Sequence, residues 1–292
     1  MPLTDQQLVN LHQRYPLKRV AITGAGSGLG EALALELARH GWALWLNDQD
    51  AELLGSVRKR CEDLGAKVSE AQFNVSDLEA FKKGAAEFLK HHGGVDLVFP
   101  CAGIGVGGPF LSCDPEHIRE AMEVNLLGTM WAGKVFLPSM TQAGKGGFVT
   151  IASAAAFHGM PHLSAYAASK AAVVQFSETI RSEMKQHGID VTTKMTTFYT
   201  SSIAEYTRGP EEEREKARSL VQIAPWSSEE VADALLLTVQ KRKFYMVAPR
   251  QARILWRFKR LMPDRYLRLM PAMFAKLEAK LLAKSEERNA AS

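Results

Sequence analysis

Tyr166 and Lys170 stand four residues apart, and Ser153 precedes the tyrosine by thirteen. On a helix, that four-residue spacing puts both side chains on one face, one turn apart. The run after them, Ala171-Ala-Val-Val-Gln-Phe-Ser-Glu-Thr-Ile, holds good helix formers and neither Gly nor Pro. Ser153 follows the apolar run Phe148-Val-Thr-Ile-Ala, which reads as a strand, so a strand-end hydroxyl can meet a helix-borne phenol across a cleft. A free tyrosine, with a pKa of about 10, is a poor base at neutral pH. A nearby ammonium favours the phenolate, and lowering that pKa by about three units takes roughly 4 kcal/mol of differential stabilisation. Lys170 together with a cationic oxidised nicotinamide is expected to supply it. Ser153 would hold a substrate oxygen while Tyr166 moves its proton.

These residues need a frame. Lys18-Arg-Val-Ala-Ile-Thr23 has the composition of a buried strand, and Gly24-Ala-Gly-Ser27-Gly28-Leu29-Gly30 leads into the helical run Glu31 to Ala38. A strand, a glycine turn and a helix in that order are the context of a phosphate-binding loop. The free N–H groups and positive dipole end of the helix suit a pyrophosphate, and the glycines allow close approach. The next strand, from Trp42, ends in Asp48, eighteen residues after Gly30. A carboxylate there accepts from ribose hydroxyls and repels a 2′-phosphate, so NAD is expected over NADP, with NADP as the alternative. The structural alternative for Asp48 is to cap the helix Glu52 to Leu64.

Alternation then continues, with strands at Lys67–Phe73, Val95–Pro100, Gly146–Ser153 and Ile189–Met195, and helices at Asp77–His91, Pro115–Phe136 and Leu163–His187. A helix opening at Pro210, another over Ser227–Gln240 and a last strand at Phe244–Ala248 follow. The pattern predicts an α/β chain with a doubly wound parallel sheet, and ligands at the carboxyl ends of its strands. Residues 1–17 read as an arm, 18–248 as one nucleotide-binding domain and 249–292 as an extension.

At these residues the sequence resembles the classical short-chain dehydrogenase/reductase family. Thr23, Gly24, Gly28 and Gly30 match its Thr-Gly-x-x-x-Gly-x-Gly loop, and Asn125 with Ser153, Tyr166 and Lys170 matches its catalytic tetrad. The resemblance implies hydride transfer at nicotinamide C4, with Tyr166 as acid/base. Lys170 would bind the nicotinamide ribose, and Asn125 would hold a water in a proton relay. It also implies cofactor contacts from Ser27, Leu29, Asn74, Val75, Cys101, Ala102, Gly103 and Ser201, and a homodimer through the Asn125 and Tyr166 helices. Three departures mark the chain. Pro100-Cys101-Ala102-Gly103 replaces Asn-Asn-Ala-Gly, Asn74-Val75 replaces Asp-Val, and Thr196-Thr197 replaces Pro-Gly. An altered nicotinamide pocket is therefore expected. Ile203–Ile223 corresponds to the family's mobile lid, and Phe157, His158, Met160, His162, Phe198 and Tyr199 are the expected substrate contacts. For each of the two histidines, a role in shaping the loop is the better reading.

Apolar residues make up 46% of the 292, enough for a sizeable core, and no window is long and apolar enough to span a bilayer. Three cysteines without metal spacing point to a reducing, cytoplasmic setting, and no metal site is expected. The net charge of +4 is uneven. Lys241 to Lys284 carries thirteen Lys and Arg against Asp264 and Glu278, a net of +11, which leaves −7 elsewhere. Ile254, Leu255, Phe258, Leu261 and Met262 form one helical stripe, and Arg253, Arg257 and Arg260 another. The apolar pattern resumes from Tyr266 through Phe274, Leu277 and Leu281. The extension reads either as a cap on the core or on a dimer partner, or as an anchor on an anionic membrane surface through residues 250–284. No recognition motif accompanies the charge, so nucleic acid is not the expected partner. The expected function is an NAD-dependent oxidoreductase acting on the alcohol or carbonyl of an apolar, lipid-like small molecule. The alternative is a nucleotide-binding scaffold with weak turnover.

Overall fold

The computed structural model describes residues 3–273 and 276. The strands are β1 (Arg19–Thr23), β2 (Ala43–Asp48), β3 (Val68–Gln72), β4 (Leu97–Pro100), β5 (Gly105–Val106), β6 (Gly146–Ile151), β7 (Ile189–Thr196), β8 (Thr207–Arg208) and β9 (Tyr245–Ala248). Seven of them form one parallel sheet in the order β3-β2-β1-β4-β6-β7-β9. β5 and β8 pair separately as a small parallel ribbon. Strand order reverses between β1 and β4, so the crevice for a ligand opens there.

Parallel strands covered on both faces must be apolar throughout, and Val20, Ala21 and Ile22 of β1 are fully buried. One face of the sheet packs on α2 (Gly28–Arg39) and α9 (Ser228–Gln240). The other packs on α4 (Leu78–His92), α6 (Gly128–Ala143) and α7 (Ser164–Lys185). Arg19 and Asp96, both buried, form a bidentate pair at 2.9 and 3.1 Å that fixes β1 beside β4. The arm is not peripheral: Leu8, Leu11 and Tyr15 are buried in the first core, and His40, at the C-cap of α2, meets Asp5 at 2.7 Å.

Two expectations need correction. The helix expected to end at Phe136 runs to Ala143, with a π-helical stretch, Met122–Leu127, between α5 (Pro115–Ala121) and α6. Such a widened turn re-aims side chains, and here it points Asn125 inward. The cap of α3 (Ala51–Asp63) is Asp50, whose carboxylate accepts from the Glu52 and Leu53 N–H groups. Asp48 lies two residues too early to reach that helix end and faces the glycine turn instead.

Beyond β9, α10 (Arg250–Leu261) begins at once, and residues 263–273 are helical again. Ala252, Tyr266 and Met270 are buried, the last two in a small cluster with Met160, Leu255 and Phe258. The expected apolar positions Phe274, Leu277 and Leu281, and the stretch to residue 284, lie outside the described residues, Lys276 excepted.

Candidate active site

The glycine turn is shaped by contact as well as by backbone angle. Gly24 and Gly28 have φ of +62° and +56°, where a side chain is strained. A Cβ on Gly30 would sit 2.0 Å from the Gly24 carbonyl oxygen, and one on Gly24 would sit 2.6 Å from the Ala102 nitrogen. Thr23 accepts from Ala102 N–H at 3.3 Å, which fixes the turn after β4 against the turn after β1. Ser27 stands at the N-cap of α2 without capping it. Its hydroxyl accepts instead from Ser202 at 2.7 Å, and the first-turn N–H groups stay directed at the cleft.

That cleft holds about 830 Å³ of empty space. Its walls carry the glycine turn, Leu29, Asp48, Asn74, Val75, Cys101, Ala102, Gly103, Tyr199 and Ser201. The Asp48 carboxylate accepts from Gly26 N–H at 2.9 Å and from Asp50 N–H at 3.1 Å, which presents it at the rim. Asn74 accepts from both the Ser76 N–H and the Ser76 hydroxyl. Ser201 Oγ is buried without a hydrogen-bond partner, although its residue lines the cleft. An orphaned hydroxyl, a tightly packed glycine turn at a helix N-terminus and a rim carboxylate fit a dinucleotide.

At the other end, β6 and α7 bring the chemical side chains together. The buried Lys170 ammonium donates to the Ile151 carbonyl at 3.0 Å, and its nitrogen lies 5.9 Å from the centre of the Tyr166 ring. Burial lowers the Lys170 pKa to about 8. Desolvation raises the Tyr166 pKa, and the hydrogen bond with the Ser153 hydroxyl opposes part of that rise. The Ser153 hydroxyl also accepts from Ala155 N–H at 3.1 Å, because Ser153 caps the short helical turn that follows it.

The side chain of Asn125 is fully engaged. Its amide nitrogen donates to the Ile104 carbonyl and to Ser169 Oγ, both at 3.0 Å, and its oxygen accepts from Ile104 N–H at 2.9 Å. Both amide hydrogens are committed to bracing the loop after β4, the loop in which Cys101 stands in the family's asparagine position. Burial pushes the Cys101 thiol up to about 12, so it is inert as a nucleophile.

Lys194, in β7, escaped sequence reasoning. It is 2% exposed, and its ammonium lies 4.1 Å from the centre of the Tyr199 ring. Burial, and then Lys170, lower its pKa to about 7. A lysine inside Ile189–Met195, a run read as a strand of the parallel sheet, was the available signal. Of the expected substrate contacts, only Tyr199 lines the cleft. Phe198 faces a separate hollow beside Pro225 and Trp226, and His162 bonds Glu213 of α8 (Glu211–Gln222). His158 bonds the Tyr266 hydroxyl, and Met160 packs on Tyr266. The segment read as a lid is tied down by the β5–β8 ribbon and by the Arg208–Glu120 pair at 2.6 and 2.8 Å.

Known proteins match this arrangement. The chain is 30% identical over 255 residues to "Probable oxidoreductase EphD" of Mycobacterium tuberculosis, covering 84% of this chain but only 43% of that protein. It is 29% identical over 251 residues to human "Estradiol 17-beta-dehydrogenase 11", covering 85% and 80% of the two chains. The solved structure of a short-chain dehydrogenase/reductase from Burkholderia phymatum in complex with NAD superposes with a TM-score of 0.80 at 26% identity, over 85% of this chain and 94% of that one. Residues 18–211 match the family model described as short chain dehydrogenase, and the chain belongs to that family.

Proposed function

We propose that the chain is an NAD-dependent oxidoreductase that interconverts an alcohol and a carbonyl on an apolar, lipid-like substrate. The observation that carries this reading is the meeting of Ser153, Tyr166 and Lys170 at the carboxyl end of β6, beside a cleft that Asp48 rims. The nicotinamide, when bound, supplies or accepts the hydride at C4. Ser153 Oγ orients the substrate oxygen, and Tyr166 Oη gives up or takes its proton. Lys170, with a pKa of about 8, can shed and regain a proton near neutrality, which suits it to resupply the tyrosine. Asp48 takes the ribose hydroxyls, and the orphaned Ser201 hydroxyl takes a polar group at the nicotinamide end.

Tyr199 in the cleft wall supports an apolar substrate. The human relative's name, an estradiol dehydrogenase, agrees with it. Three free cysteines support a reducing, cytoplasmic setting, and the family resemblance implies a homodimer through the Asn125 and Tyr166 helices. Among the described residues, no helix is long and apolar enough to cross a membrane.

The test is a panel of secondary alcohols of rising apolar size, assayed for cofactor reduction with NAD and with NADP. Turnover should favour NAD, and kcat/KM should climb with apolar size. Tight NAD binding without turnover on any member would favour the scaffold reading.

A further inference from the structure

Six of the eleven large apolar side chains that the described residues expose lie between Ile254 and Met273. α10 packs inward through Ala252, with Trp256 beside it at half burial. Ile254 and Leu261, seven residues apart and so on one face, lie opposite Ala252 and are 57% and 79% exposed. Further along, Tyr266 and Met270 turn inward, while Leu267 and Leu269 remain more than half exposed. The extension therefore has two apolar sides, and the fold covers one. Residues 250–273 carry seven Lys and Arg against Asp264 alone, a net of +6. Six of the seven are exposed, Lys259 being half-buried.

A second exposed apolar tip is linked to the extension through the loop after Ser153. Leu111 is 98% exposed and Phe110 65%. This tip follows Gly108, whose N–H donates to the His162 carbonyl at 2.8 Å. The extension grips the other end of that loop, through the Tyr266 bond to His158 and the packing of Tyr266 on Met160. The loop after Ser153 is thus flanked by exposed apolar groups on both sides, one of them strongly cationic.

We infer that this face, from Ile254 to Leu269 with the Phe110–Leu111 tip, docks on an anionic lipid bilayer and holds the loop after Ser153 against it. Amphipathic segments rich in Arg and Lys bury their apolar side at the headgroup boundary, and their charges are drawn to anionic lipid. A second copy of the chain suits the face poorly. A twofold contact would bring the patch against itself and set two excesses of +6 together. The docking does not depend on the proposed chemistry. If both hold, the substrate enters from the bilayer.

The full-length protein is sedimented with vesicles of phosphatidylcholine alone and of phosphatidylcholine mixed with phosphatidylglycerol, at low and high salt. Binding should appear with the anionic vesicles, weaken with salt and be slight with the neutral ones. The pair Ile254→Glu/Leu261→Glu replaces exposed side chains only, so it should fold and bind NAD as the wild type does. It should also lower vesicle affinity about tenfold or more. Leu111→Glu alone should weaken binding by a smaller factor. Wild type that stays in solution with anionic vesicles at low salt overturns the inference. So does a double variant that binds vesicles as well as wild type, or one that dissociates a dimer which itself ignores vesicles.

Discussion

The glycine-turn end of the cleft and the end beside Tyr166 and Lys170 are held by different physics. At the first, backbone shape does the work. Gly24, Gly28 and Gly30 lie within seven consecutive residues, and Asp48 is fixed by two nearby N–H groups. At the second, buried ionisable side chains from separate elements are pressed together: Lys170 from α7, Lys194 from β7 and Cys101 from the end of β4. A backbone site tolerates little added volume. A site of buried charges tolerates volume better and tolerates a change of charge or proton inventory poorly.

Changing the proton inventory gives the largest expected effect. Lys170→Met keeps the stem and removes the ammonium, and kcat should fall about a hundredfold or more, with NAD affinity less affected. Turnover within a few fold of wild type would remove Lys170 from the proton path. Adding volume to the other end should instead strike binding. Gly30→Ala places a carbon against the Gly24 carbonyl, which cannot move without breaking the turn. NAD affinity should fall, and stability should drop by about 1–3 kcal/mol in thermal melts. An unchanged dissociation constant would mean that the turn does not carry the phosphates. Asp48→Ala removes a charged acceptor worth about 1.5–3 kcal/mol, so the NAD over NADP preference should narrow about tenfold or more. A wild type that prefers NADP tenfold would show that Asp48 does not read the ribose.

The smallest effect concerns His158, which stands between the reacting end and the extension. Burial, followed by the charge on Lys259, lowers its pKa from 6.5 to about 4. A group neutral in the fold but titrating higher when unfolded contributes stability that is complete above pH 6.5. That stability is lost as pH falls toward 4. The extension should therefore loosen in this window, by about 1–2 kcal/mol near pH 5, read as protease cleavage beyond residue 249. His158→Gln should flatten that pH dependence. Cleavage equally slow at pH 7 and pH 5 would show that the His158–Tyr266 contact does not hold the extension.

Most of the strand and helix alternation was legible because buried parallel strands and amphipathic helices carry distinct periods. The glycine turn was legible because its residues are contiguous. What sequence could not show depends on packing between distant segments. Asn125 is engaged by Ile104 and Ser169 because a π-helical stretch aims it inward. The Tyr166 pKa is set by burial that its spacing to Lys170 does not reveal. That Asp50, and not Asp48, caps α3 depends on where that helix begins. Lys194 was visible as a lysine in a strand of the parallel sheet, but its position over Tyr199 follows from the turn after β7.

The central claim is that Tyr166 transfers the proton, and Tyr166→Phe tests it most directly. The change removes one hydroxyl and leaves the ring packed, so NAD should bind with nearly unchanged affinity. Steady-state kcat on the best alcohol of the panel should fall about a hundredfold or more. A variant that binds NAD normally and turns over at near wild-type rate would contradict the account.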